Sequence, residues 1–69
     1  MPSFSGDDVI NALERKGYRA VRTRGSHVRL YPPENTASLK KVTVPLHKEL
    51  KPGTLQAIIK DTGISLGDL

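Results

Sequence analysis

The sequence predicts a small α+β domain in the order α-β-β-β-α, a three-stranded antiparallel sheet with both helices on one face. Three observations lead there. A capped amphipathic segment, "SGDDVINALERKG", opens the chain; three short stretches follow that read as strands, the clearest being "HVRLY"; and a second amphipathic segment, "PGTLQAIIKDTG", closes the pattern. At 69 residues the chain reads as one domain, residues 1–69.

The first helix carries its own start and stop. Ser5 is placed to cap it, and Asp8 three residues later completes a capping-box pattern. Asp7 and Asp8 suit the positive end of the helix dipole, as Arg15 and Lys16 suit the negative end. Val9, Ile10 and Leu13 share a face, with Ala12 beside them. Phe4 stands where a residue before the cap staples the helix start, and Gly17 where a left-handed residue ends it.

"YRAVRTR", residues 18–24, reads as a first strand of imperfect alternation, with Val21 facing one way and Ala20, Arg22 and Arg24 the other. Gly25-Ser26 is a turn signal. In "HVRLY" the alternation is clean: Val28 and Leu30 on one side, His27, Arg29 and Tyr31 on the other. "PPENTAS", residues 32–38, is a loop, and "KKVTVP", residues 40–45, a third strand with Val42 and Val44 inward. Pro52 fits the first turn of the second helix, which presents Leu55, Ile58 and Ile59 and stops at Gly63. Ile64 is placed to fold back on the helix end, and Ser65 to cap a last turn. Short links between the strands favour an antiparallel meander. One sheet face then holds Val21, Val28, Leu30, Val42 and Val44 beneath the helices, and the other is polar and basic.

Size and composition narrow the chemistry. A domain this small buries only roughly 60% of the surface its unfolded chain exposes, so any site is an open surface rather than an enclosed cofactor pocket. The absence of cysteine excludes disulfides, thiol chemistry and cysteine-ligated zinc. No cluster has metal-ligand spacing, since Asp7 and Asp8 are explained as helix-start residues; no cofactor is expected. No apolar run approaches the ~18 residues of a membrane span. "MPSFSGDD" has no apolar signal core, and the expected location is the cytoplasm.

The charge is concentrated. The formal net charge is +4, yet Arg15, Lys16, Arg19, Arg22, Arg24 and Arg29 fall in one stretch that contains no acid. A local positive field of that kind attracts a polyanion, with nucleic acid the first candidate and an acidic protein the second. "RGSH" puts His27, a residue type that can give or take a proton in catalysis, within that stretch.

Four pieces in order make the chain recognisable: "KGY" ending the first helix, "RGSH" entering the second strand, "VTVPLHKELKPGTL", and "IIKDTGIS". Together they resemble the HicA (YcfA-like) family of toxins from bacterial toxin–antitoxin pairs, over nearly the whole chain from Gly6 to about Leu66. The resemblance implies a double-stranded-RNA-binding-domain-like fold. It also implies a metal-independent endoribonuclease, an mRNA interferase that inhibits translation until a HicB antitoxin neutralises it in a hetero-oligomer. It makes His27 the catalytic residue. The alternative is a non-catalytic double-stranded-RNA-binding module of the same fold and charge.

A nuclease without metal has a nucleophile in the RNA itself, the 2′-hydroxyl. The protein must move that proton, stabilise the crowded phosphate and see the leaving oxygen protonated. His27 fits the proton transfer, and Arg22, Arg24, Arg29 and Lys41 fit phosphate binding from the polar face or its edge. Gly25 allows a sharp turn and close backbone approach to a phosphate; Ser26 either donates a hydrogen bond or merely closes the turn. His47, at the end of the third strand, either joins His27 as a second acid or phosphate donor or anchors its loop. Lys51 lies at the start of the second helix, whose amides also favour a phosphate. Tyr18 reads as a core or corner residue; Tyr31 either stacks on a base or simply covers the sheet, and cover is the favoured reading. With only three aromatics, base stacking has little support in the sequence.

Overall fold

A computed structural model describes residues 3–34 and 38–69. Helix α1 spans Gly6–Arg15, strands β1 to β3 span Arg19–Arg24, His27–Tyr31 and Val42–Pro45, and helix α2 spans Pro52–Thr62. A single 3-10 turn follows at Leu66–Asp68. The loop expected over 32–38 includes residues 35–37, and the stretch read for an export signal includes 1–2; these positions lie outside the described residues. No helix among the described residues is long and apolar enough to cross a membrane.

Local chemistry sets the helix ends. The Ser5 hydroxyl accepts from the Asp8 N–H at 3.1 Å, and the Asp8 carboxylate accepts from the Ser5 N–H at 3.0 Å, closing the capping box. Gly63, at φ 74°, ends α2 with its N–H donating to the Ile59 carbonyl at 2.9 Å. Ile64 is buried against the core as expected, and Ser65 caps the last turn, its N–H donating to Asp68 Oδ2 at 2.8 Å.

The sheet is a meander in the order β1-β2-β3, both pairs antiparallel, with β2 in the middle. Arg24 faces His27 across a two-residue loop, Gly25-Ser26. Gly25 takes φ 60°, the left-handed geometry that tight hairpin turns require; a β-carbon there would meet open space, so the backbone angle alone asks for glycine. Pro45 closes β3 on a sheet edge, where its missing N–H breaks no ladder bond.

The core lies on one face of the sheet. Val28 and Leu30 of β2 and Val42 and Val44 of β3 pack with Val9 and Leu13 of α1 and Ile58 of α2, joined by Tyr18, Leu50 and Ile64. Leu30, Val44, Leu13 and Val9 are completely buried, each such side chain stabilising the fold by about 1.5–3 kcal/mol relative to exposure. Thr62 is the buried polar side chain among them. Its hydroxyl donates to the Ile58 carbonyl at 2.6 Å and accepts from the Ile64 N–H.

Two expectations need correction. Val21, expected on the core face, is 48% exposed. A β-bulge between Ala20 and Arg22 makes it an extra residue: Ala20 pairs with Leu30, Arg22 already pairs with Arg29, and Val21 is left without an opposite number. One unpaired residue reverses the facing of everything on its far side, so Ala20 takes the core-side register position and Val21 leaves it. Every residue of β1 is exposed, and none belongs to the core cluster. The third strand starts at Val42 rather than at Lys40, because the Lys40 backbone is engaged elsewhere: its carbonyl accepts from the Tyr18 hydroxyl at 2.9 Å and its N–H donates to the Asp61 carbonyl at 3.1 Å.

Helix α1 seats directly on the end of β3. The Gly6 N–H donates to the His47 carbonyl at 2.9 Å, and a β-carbon on Gly6 would run into the Pro45 carbonyl oxygen. Gly6→Ala is therefore expected to cost about 1–3 kcal/mol by overpacking. That is a fall of at least about 4 °C in Tm for a chain this short, read by thermal circular dichroism; an unchanged Tm would contradict the close seat.

Tyr18 gives the fold an alkaline limit. Burial first, then the nearby Asp61 charge, hold its phenol above the ordinary value of 10.0. Below that pH neither state ionises the ring. Above it the unfolded chain releases the proton first, so stability declines as pH rises until the folded phenol ionises too. Urea titrations across that range are expected to show this decline, and Tyr18→Phe to remove that part of it.

Candidate functional site

The polar face of the sheet is a grid set by strand register. Residues directly opposite in an antiparallel pair share a face. Arg24 stands beside His27, which stands beside Pro45; Arg22 stands beside Arg29, which stands beside Thr43; Arg19 stands beside Tyr31. Burying Val28 and Leu30 forces His27, Arg29 and Tyr31 outward, so the core pattern and the site pattern are two consequences of one alternation.

These side chains line an open cleft of about 600 Å³, walled by Val21, Arg22, Arg24, His27, Arg29, Tyr31 and Thr43. His27 is exposed in it, close to solvent and to cations rather than in the apolar layer. Arg29 is held in place: its Nη1 donates to the Thr43 hydroxyl at 2.9 Å. Lys41 Nζ sits 4.7 Å from the centroid of the Tyr31 ring, a cation–π contact at the cleft margin.

The six cations of the basic stretch do not act together. Arg15 is turned to the C-terminus of the chain, where its Nη2 donates to the Asp68 carbonyl at 2.6 Å, and Lys16 pairs with the Asp68 carboxylate at 3.4 Å. The Ser65 N–H, and after it the Lys16 charge, hold the Asp68 carboxyl below its usual value. Arg22, Arg24 and Arg29 remain to converge on the cleft, with Arg19 at the register position beside Tyr31.

The residues singled out in the sequence therefore divide. His27, Arg22, Arg24 and Arg29 come together in the cleft, and Lys41 reaches its margin through Tyr31. Gly25 and Ser26 form the exposed hairpin tip beside it; the Ser26 carbonyl accepts from the Leu46 N–H at 2.6 Å, which ties the tip to the end of β3. His47 lies two residues beyond Pro45, is exposed, offers its carbonyl to Gly6, and does not line the cleft. Lys51 is exposed at the N-cap of α2 and lies outside the cleft as well. Three cleft residues lay outside the predicted set: Tyr31, for which cover of the sheet is the favoured reading, and two more. Thr43 was readable from the alternation of "VTVP", which turns it to the same side as Arg29. Val21 was not, since only the bulge brings it there.

Such an arrangement can bind an extended anion along several positions and present one imidazole to it. No curated protein matches the chain. The family described as the HicA toxin of bacterial toxin–antitoxin pairs matches residues 6–64, from the first residue of α1 through all three strands and α2 to Ile64. The chain belongs to the HicA toxin family.

Proposed function

We propose that this toxin is a metal-independent endoribonuclease that cleaves mRNA through His27 and so inhibits translation in the cytoplasm. The observation that carries the reading is the cleft itself, an exposed imidazole at the head of β2 with three arginines around it. In the proposed step His27 removes the proton of a ribose 2′-hydroxyl, and the 2′-oxygen attacks the adjacent phosphorus. The bond from phosphorus to the 5′-oxygen breaks, leaving a 2′,3′-cyclic phosphate, and the departing oxygen takes a proton from the imidazolium or from water. Arg22, Arg24 and Arg29 meet the negative charge that gathers on the phosphoryl oxygens. Lys41, Gly25 and Ser26 flank the bound strand. His47 and Lys51, outside the cleft, are assigned to RNA approaching along the α1 and α2 ends of the molecule.

Membership of a toxin–antitoxin family implies an antitoxin partner. The partner proposed is of HicB type, forming a hetero-oligomer in which an acidic surface covers the basic cleft and occludes His27. The competing reading, a double-stranded-RNA-binding module without chemistry, is less well supported: the cations converge on the open sheet face, and at the start of α2 only Lys51 is offered.

RNA cleavage by the purified protein in excess EDTA tests the chemistry. Wild type is expected to cut, and His27→Ala to cut about 10²–10⁴-fold more slowly while still binding RNA. Equal cutting by the variant removes His27 from the mechanism, and loss of wild-type cutting in EDTA removes metal independence. The salt dependence of RNA binding tests the cations. Arg22→Ala and Arg29→Ala are each expected to reduce the slope of log K against log salt by about 0.7, one phosphate contact on a single strand. Arg15→Ala, whose side chain is committed to Asp68, is expected to leave that slope unchanged.

A further inference from the structure

We propose that the outward face of β2 is a track for one unpaired RNA strand, with Tyr31 as the platform on which a base stacks. The inference rests on the ribonuclease reading for its substrate and goes beyond it in naming the strand's form and a recognition element. His27, Arg29 and Tyr31 follow one another at every second residue of a single strand, a spacing of about 6.5–7 Å. That is close to the span of one nucleotide in an extended single strand. With a phosphate at His27, the next falls to Arg29, whose guanidinium is already fixed by Thr43, and the following nucleotide reaches Tyr31.

The far end of the track adds apolar surface to the charge supplied by Arg19 and Lys41. Val21, extruded by the bulge and 48% exposed, lines the cleft together with Tyr31. An exposed aliphatic side chain and an aromatic ring among arginines match a ligand with both charge and flat apolar faces, and a nucleotide has both. The Tyr31 ring is half-buried, and the group over its face is the long, flexible side chain of Lys41. An arriving base displaces the ammonium, which remains near enough to meet the same nucleotide's phosphate. In a duplex the base faces are buried in the stack and beyond the reach of a ring on the cleft wall, whereas in a single strand they are free to splay onto it. The platform therefore selects unpaired RNA.

The probe is a short, fully 2′-O-methylated oligoribonucleotide, which lacks the nucleophile and cannot be cut, so binding is measured whether or not the protein is a nuclease. The chain has no tryptophan, and its two tyrosines are Tyr18, buried, and Tyr31. Quenching of tyrosine emission on binding is therefore expected from Tyr31 and absent in Tyr31→Leu. Tyr31→Leu is expected to weaken binding roughly five- to hundred-fold, the range of a single base–aromatic stack, while Tyr31→Phe retains the wild-type affinity. An abasic residue scanned through the probe is expected to produce the same loss at one position with the wild type. At that position it produces no further loss with Tyr31→Leu, because the two changes remove one contact. The same sequence annealed to its complement is expected to bind more weakly than the single strand. Equal affinity of duplex and single strand, an abasic scan without effect on the wild type, or additive losses would each overturn the platform. Since the abasic scan is carried out on the wild type, the test survives a Tyr31→Leu protein that does not fold. Failure of the His27 cleavage test would overturn the enzyme reading and leave these binding results standing.

Discussion

The strict alternation of β2 is the constraint from which both the core and the cleft follow. It is the one strand among the described residues with a neighbour on each side, and its residues divide into a buried pair and an outward trio. Leu30 and Val28 cannot be turned to water without losing the contact that holds the sheet to both helices. His27, Arg29 and Tyr31 are thereby committed to the opposite side. The flanking strands then supply, by register alone, arginines on one side and the Thr43 hydroxyl on the other. A 69-residue chain thus positions a polyvalent surface through strand register.

Placing cations together on a rigid sheet has an electrostatic cost, because like charges repel across a short distance. The fold limits it. Arg15 and Lys16, which lie next in sequence to the cleft arginines, are drawn off to Asp68 at the other end of the chain, and the carboxylate of Asp68 is kept charged by the Ser65 N–H. Arg29 is held by a neutral hydroxyl instead of an acid, which fixes its direction while leaving its charge uncompensated. Among the described residues, the cleft cations therefore have no carboxylate partner, the state in which a phosphate gains most from arriving.

Much of this was readable from the chain. The capping box at Ser5 and Asp8, the stop at Gly63, the hairpin tip at Gly25-Ser26 and the faces of β2 and β3 are local patterns, and local patterns survive folding when the packing agrees with them. The central group of the cleft, His27 with Arg22, Arg24 and Arg29, followed from the same alternation. What escaped was non-local. The bulge that reverses Val21 exists only in the pairing of β1 with β2, and nothing within "RAVRTR" announces which residue will be left over. The diversion of Arg15 depends on a residue 53 positions away. The reading in which His47 joins His27 rests on β3 running back past β2, which it does. The chain then turns at Pro45 toward α1 and carries His47 out of the cleft.

The seam between α1 and the end of β3 ties two properties that a small protein would otherwise tune separately. Gly6 lies against the Pro45 carbonyl, and Pro45 is the register partner of His27. The docking of a helix on one side of the sheet and the placement of an imidazole on the other thus share a single pair of residues. Substitutions that drift into this seam alter foldedness and toxicity in the same stroke. A lineage under pressure to disarm the protein can do so there without replacing any side chain that lines the cleft.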